Sequence, residues 1–511
     1  MQDELKNSKR IAKNTLLLYF RMLLLMVVSL YTSRVILNAL GVVDYGIYNV
    51  VGGVVTMFSV LSGSLTAAIT RFLTFEIGTG NRQRLNAVFS TSITIQLLIV
   101  LVVLLLAETV GLWFVNNKLV IPPDRLWAAN WCYQLSMVTF CVNLVSVPYN
   151  AAIVAHERMS AFAYISIFQA VGILCIALGV AHVQYDSLLF YSAMVTLLSL
   201  LIRVIYGVYC KFHFEECVYR PQLDKPLIRE MFSFAGWNFI GSSSYIVRDQ
   251  GGTILTNLFF GPSLNSARAI AIKVSATVTS FVQNFMVALN PQITKSYASG
   301  DRAYMMTLIF QGARLSYYIL LLLSVPIILN THYILVLWLR LVPEYTVVFI
   351  QLILVFSLSE SLSNPLVTAM LATGRIRNYQ IVVGLVSFLN IPVSYVLLLF
   401  GFPPETILVV AIVLGQCCLF ARLYMLRPLI GLNIRDFLQK VYLNVLLVSV
   451  AAFIVPCILN GLMGEGLLRF VLISALSAIT TLLSILYVGC SPSDRAYVYS
   501  QIRKRLPLSH A

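Results

Sequence analysis

The sequence predicts an all-α integral membrane protein of about fourteen transmembrane helices, on three observations. Hydrophobic residues make up 59% of the 511 and charged residues only 11%, where a soluble chain carries about 25% charged. The apolar residues fall in runs of the roughly 20 needed to cross a bilayer, separated by clusters of Gly, Pro, Asn and charge. Lys and Arg collect in alternate loops, as the positive-inside rule requires of a correctly counted set of spans.

Taken in order, the first six helices are expected at 13–38, 45–70, 86–115, 125–154, 161–182 and 187–211. The first segment is too long for a cleavable signal and carries Arg21 and Arg34, so it is expected to stay as a membrane helix. A polar connector over 212–230 precedes a second set at 231–258, 266–293, 304–329, 345–371, 379–401 and 405–427. Two further helices follow at 440–460 and 466–489. This divides the chain into an N-terminal lobe (1–211), a cytoplasmic connector (212–230), a C-terminal lobe (231–427), and two extra helices with a cytoplasmic tail (428–511).

Charge tests the count. One set of loops carries Lys6, Lys9, Arg10, Arg71, Arg82, Arg84, Arg158, Arg220, Lys225, Lys295, Arg302, Arg375, Arg377, Arg435 and Arg495, among others; the opposite set carries Lys118, Arg125, Arg340 and Arg469. Both termini are therefore expected in the cytoplasm, in a multi-pass membrane protein. The halves also repeat. At one shift Gly41, Gly80 and Arg82 fall on Gly261, Gly300 and Arg302; at a second, Pro148 to Ala152 fall on Pro365 to Ala369 and Arg158 on Arg375. Both halves begin on the same side, which makes them parallel six-helix repeats.

Several function classes drop out. The net charge of +15 lies mostly in loops on one side, and no RNA- or DNA-binding signature accompanies it, so nucleic acid is not an expected partner. Nine cysteines, mostly within apolar segments and with no C-x-x-C, suggest neither a disulfide framework nor a metal site. The five histidines are scattered, and no P-loop, G-x-S-x-G or H-E-x-x-H occurs. No enzyme and no cofactor is expected.

What remains is charge inside the spans, which costs at least about 2.5 kcal/mol per residue on insertion scales and persists where it faces a partner or a polar cavity. Arg34, Arg248, Arg268 and Lys273 are the candidate anion-binding residues, with Arg21 and Arg314 as further cavity candidates. Arg248 and Asp249 are adjacent, point about 100° apart on a helix and need not pair. Gly251 and Gly252 allow close helix approach or local unwinding. Asp249 and Glu360 are each either a counter-ion or a coupling site. Cations exceed carboxylates, which suits phosphate or carboxylate ligands, onto whose oxygens Arg forks.

The run Ser33-Arg34 through Asn38-Ala-Leu-Gly41 to Asp44-Tyr45-Gly46 resembles the first loop of polysaccharide-transport flippases. So do Asn257-Leu-Phe-Phe-Gly261-Pro262 and Leu289-Asn290-Pro291 to Gly300-Asp301. These are O-antigen and lipid-linked-oligosaccharide (Wzx-type) flippases of the multidrug/oligosaccharidyl-lipid/polysaccharide (MOP) superfamily. The resemblance covers essentially the whole chain and implies two six-helix lobes plus two helices, working by alternating access. It implies as substrate an undecaprenyl-pyrophosphate-linked oligosaccharide, with Arg34, Arg248, Lys273 and Arg268 holding its phosphate or acidic sugars. Implied partners are membrane lipids, a polysaccharide polymerase and glycosyltransferases. Two alternatives stand beside it: a Na+- or H+-coupled multidrug antiporter, with Asp249 or Glu360 as coupling site, and a membrane scaffold for glycan assembly.

Overall fold

A computed structural model describes residues 2–56, 59–117, 121–180, 182–221, 224–260, 262–339, 344–464, 466–490 and 495. Every regular element among them is a helix. In chain order we label α1 Gln2–Thr56, α2 Ser59–Thr79, α3 Arg82–Asn117, α4 Pro123–Ala155, α5 Met159–Val180 and α6 Ser187–His213. Then come α7 Lys225–Phe260, α8 Pro262–Ala298, α9 Arg302–Leu329, α10 Thr346–Thr373, α11 Arg377–Leu399, α12 Thr406–Ile430, α13 Ile434–Leu462 and α14 Leu467–Gly489. Among the described residues twelve helices are long and apolar enough to cross a membrane.

Glycine sets the turns where the sequence places them. Gly41 alone leaves helical geometry inside α1, at φ 76° and ψ 170°. Gly80 and Gly300, repeat equivalents, take the same left-handed φ of 74° and 80°, which glycine adopts without strain. Each is followed two residues later by an arginine that opens the next helix, Arg82 for α3 and Arg302 for α9. Gly261 lies outside the described residues.

Boundaries shift where charge is tolerated within a helix. The second helix, expected to end at Thr70, continues to Thr79 and puts Arg71 inside it rather than in a loop. The guanidinium lies 4.5, 4.9 and 5.5 Å from the ring centroids of Phe72, Phe75 and Phe234, so the charge rests on aromatic faces without leaving the helix. Lys295, also expected in a loop, occupies the last turn of α8, where a cation favours the carbonyl end. The connector is short because α7 already starts at Lys225.

The chain forms two compact units: Met1–Phe239 with Thr294–Asp301, and Ile240–Ile293 with Arg302–Ala511. In unit 1 the turns of alternate helices are tied at opposite ends. At one end Arg125 holds both Asp44 (Nε–Oδ1 2.8 Å, Nη2–Oδ2 2.5 Å) and Asp186 (Nη1–Oδ2 2.5 Å), joining the Gly41 turn to the first turns of α4 and α6. Burial alone would raise the Asp186 carboxyl; Arg125 and the backbone N–H groups of Leu189 and Leu188 hold it below the usual range. At the other end Glu157, almost fully buried, accepts from Lys295 Nζ at 2.6 Å and Arg10 Nε at 3.0 Å. The positions of these ties match the predicted alternation of turns along α1 to α6. In unit 2, α13 and α14 pack against each other and against α9.

Candidate functional site

Unit 2 encloses a cavity of about 220 Å³ lined by Arg248 and Asp249 of α7, Arg268, Ile272, Ser275 and Ala276 of α8, Ile353, Phe356 and Ser357 of α10, Asn390 of α11, and Ile407, Leu408 and Ala411 of α12. At about 30 Å³ per water, that volume takes a small anionic head and a few waters rather than an oligosaccharide.

Arg268 is 6% exposed. Its Nε donates to Thr253 Oγ1 at 3.4 Å and its Nη2 to the Asp249 carbonyl at 3.5 Å. Both contacts are long and leave most of the fork's donors unused. Gly252 makes the position available, because a Cβ there would collide with Arg268 Nη2. Gly251 serves a different neighbour: its absent side chain admits Ile391 of α11. Both glycines sit in unbroken helix, so they provide close approach and not unwinding.

Arg248 does pair with the adjacent Asp249, Nε to Oδ1 at 3.0 Å. The ideal 100° separation is overcome because both side chains bend toward the cavity they share. The arginine side chain is 12% exposed and the aspartate 59%, so the charge is taken from the wetter side. The guanidinium also lies 4.8 Å from the Phe356 ring centroid and 5.2 Å from that of Tyr245.

Behind this wall lies a residue that is not among the sequence candidates. Arg422 on α12 is 1% exposed. It donates to Ser363 Oγ at 2.8 Å, Tyr245 OH at 2.5 Å and Tyr379 OH at 3.4 Å. Its position about two turns from the end of α12 reads as a loop-side cation; the signal against that is its apolar flank, Leu419-Phe-Ala-Arg422-Leu. Glu360 on α10 acts on Arg422 electrostatically but forms no ion pair among the described residues. Gly415 lets α12 approach it, since a Cβ there would stand 3.2 Å from Glu360 Oε1. Arg248, Arg268 and Arg422 thus meet Asp249 and Glu360 in this part of unit 2.

The other candidates are placed apart. Lys273 is exposed on α8 and is not among the cavity-lining residues. Arg314 on α9 donates to the Gly489 carbonyl at 3.3 Å, satisfying the end of α14. Arg21, in unit 1, lies over the Phe162 ring at 4.3 Å. The Arg34 side chain lies outside the described residues.

No protein-family profile matches the chain. Among curated proteins it is 24% identical over 306 residues to "Uncharacterized membrane protein EpsK" of Bacillus subtilis, a match taking in 58% of each chain. Solved structures share the fold at low identity. An outward-facing multidrug resistance MATE family transporter of the MOP superfamily matches with TM-score 0.70 and 9% identity, over 83% of this chain and 96% of that one. Vibrio cholerae MATE transporter VcmN, in its bent form, matches with TM-score 0.66 and 15% identity, over 84% and 99%. A MOP superfamily transporter from Pyrococcus furiosus, in which reverse polarity of the binding pocket suggests a different function, matches with TM-score 0.68 and 9% identity, over 83% and 96%. The chain is a multi-pass membrane protein with the fold of the MATE transporters of the MOP superfamily.

Proposed function

We propose that this chain is a flippase that moves an undecaprenyl-pyrophosphate-linked oligosaccharide from the cytoplasmic to the periplasmic leaflet by alternating access. The observation that carries the reading is the cavity of unit 2, where Arg248 and Arg268 both face a space of about 220 Å³. Guanidinium forks match phosphate oxygens, and the volume fits the phosphate head while the sugars lie outside it. The Pyrococcus furiosus transporter offers a parallel, a shared fold whose pocket polarity is reversed and points to a different function. On this reading both termini are cytoplasmic, the membrane is the inner one, and the partners are membrane lipids, a polysaccharide polymerase and glycosyltransferases.

Glu360 favours a second reading. A half-buried carboxylate with no ion pair among the described residues suits a cation- or proton-coupled drug antiporter. One experiment separates the two. Arg268→Gln is expected to reduce surface glycan at least about tenfold, as loss of a charge-assisted contact implies, with the protein still in the membrane and Arg268→Lys partly active. Glu360→Gln is expected to leave drug resistance unchanged. Intact surface glycan in Arg268→Gln, with drug resistance lost in Glu360→Gln, would establish the antiporter reading instead.

A further inference from the structure

Unit 1 contains two guanidiniums within apolar helices that have no acceptor among the described residues. Arg21 of α1 rests on Phe162, and its buried Nε has no hydrogen-bond partner. Arg203 of α6 stands 3.9 Å from the ring centroid of Tyr149, its one polar or aromatic partner there. No Asp or Glu occurs in α5, in α6, in α4 after Asp124, or in α1 between Glu4 and Asp44. Each guanidinium offers five donors, and a cation held only by a ring face in a membrane span leaves most of them for something other than protein.

The two reach toward the same end of unit 1. Phe162 lies near the start of α5, next to the turn that holds Glu157. Arg203 extends one turn toward His213: a Cβ on Gly207 would stand 3.0 Å from its Nη1, so the glycine gives the guanidinium its room. The surroundings of the two arginines are linked: Tyr206 follows Arg203 by one helical turn on α6, and Asn150 adjoins the Tyr149 that carries Arg203. Asn150 Nδ2 donates to Tyr206 OH at 3.1 Å, and the Tyr206 phenol interacts electrostatically with Arg21. The depth suits a headgroup. The 27 residues of α6 span about 40 Å against a hydrocarbon core of about 30 Å. Arg203 sits about 15 Å from the His213 end, and its side chain, directed to that end, brings the charge close to the interface. Beside it Leu200, Leu201, Val204 and Val208 form an exposed apolar strip.

We propose that Arg21 and Arg203 form a second anion-binding site, in unit 1, that takes the phosphate of a lipid, whose chains lie along the α6 strip. The strip favours a lipid phosphate over a free one. The site stands independently of the transported molecule proposed above, because a plain alkyl phosphate carries no glycan.

The test uses the purified full chain in detergent, with Arg248→Gln and Arg268→Gln introduced so that unit 2 does not contribute. Dodecyl phosphate is the probe, and dodecanol and inorganic phosphate are the comparators; binding is read by native mass spectrometry. The expected result is saturable binding of dodecyl phosphate that weakens at least about tenfold on adding Arg21→Gln and Arg203→Gln, with little binding of dodecanol. Gly207→Val, which fills the space of the guanidinium, gives the same loss if the double change fails to fold. Equal binding in those variants overturns the proposal, as does equal binding of dodecanol. Competition by inorganic phosphate as strong as that of dodecyl phosphate overturns the lipid assignment.

Discussion

Arg422 shows how much a single buried cation can organise. Its three donors fix Tyr245, Ser363 and Tyr379, and the Tyr245 ring in turn supports Arg248 at the cavity. Removing the guanidinium leaves these hydroxyls without their donor and a void of Arg size. Arg422→Ala is therefore expected to lower stability by about 3 kcal/mol, seen as a fall in the thermal midpoint in detergent. An unchanged midpoint would show that the network contributes nothing. Arg268 differs: it is buried yet poorly satisfied, so its replacement is expected to affect ligand binding more than the fold. The composition of the spans makes buried cations visible in the sequence. Whether each is spoken for depends on neighbours from other helices.

At the scale of the element, α7 carries two adjacent glycines with separate tasks. A methyl group at Gly252 meets the far end of the flexible Arg268 side chain, whereas one at Gly251 meets Ile391 of a neighbouring helix. Gly252→Ala is expected to fold normally, gaining up to about 1 kcal/mol of helix propensity, yet to lose glycan transport as Arg268→Gln does. Gly251→Ala is expected instead to lower the thermal midpoint, because α11 must move. Equal behaviour of the two variants would contradict this division. The glycine pair is conspicuous in the sequence, and close approach is one of its two expected uses; which helix approaches which glycine is decided by packing.

For the molecule as a whole, the segment 214–221 is strapped across the end of unit 1. Asn86 Nδ2 donates to the carbonyls of Glu216 (2.8 Å) and Val218 (3.1 Å), and the Arg220 N–H donates to Ser90 Oγ at 3.2 Å. His156 Nε2 lies 2.5 Å from Glu216 Oε1 and stacks on Phe214. Burial raises the Glu216 carboxyl, but the His156 bond, its own backbone N–H and the nearby Arg82 outweigh this and leave it below the ordinary value. A carboxyl lowered in the fold contributes stability above its unfolded pKa of about 4.3 and loses it as pH falls through the lower folded value. Hydrogen exchange of 214–221 is thus expected to show constant protection from about pH 8 to 5 and loss only below about pH 4. Loss of protection already at about pH 6 would show that Glu216 does not hold the strap.

Read by itself, the sequence determined the class: all helix, the number and order of segments, the alternation of turns, and an interior with more cations than carboxylates. These follow from local quantities, namely the length of an apolar run, the glycine at a turn and the charge of a loop, and Gly41, Gly80 and Gly300 turn where they were expected to. Boundaries moved at Arg71 and Lys295 because a charge ends a helix only if nothing beside it can accommodate that charge. Only the tertiary structure decided what each intramembrane charge does. It joined Arg248 to Asp249, exposed Lys273, turned Arg314 to a carbonyl, brought out Arg422 and left Glu360 without an ion pair among the described residues. The reason is geometric: a helix presents each residue to one direction, and the occupant of that direction comes from distant parts of the chain.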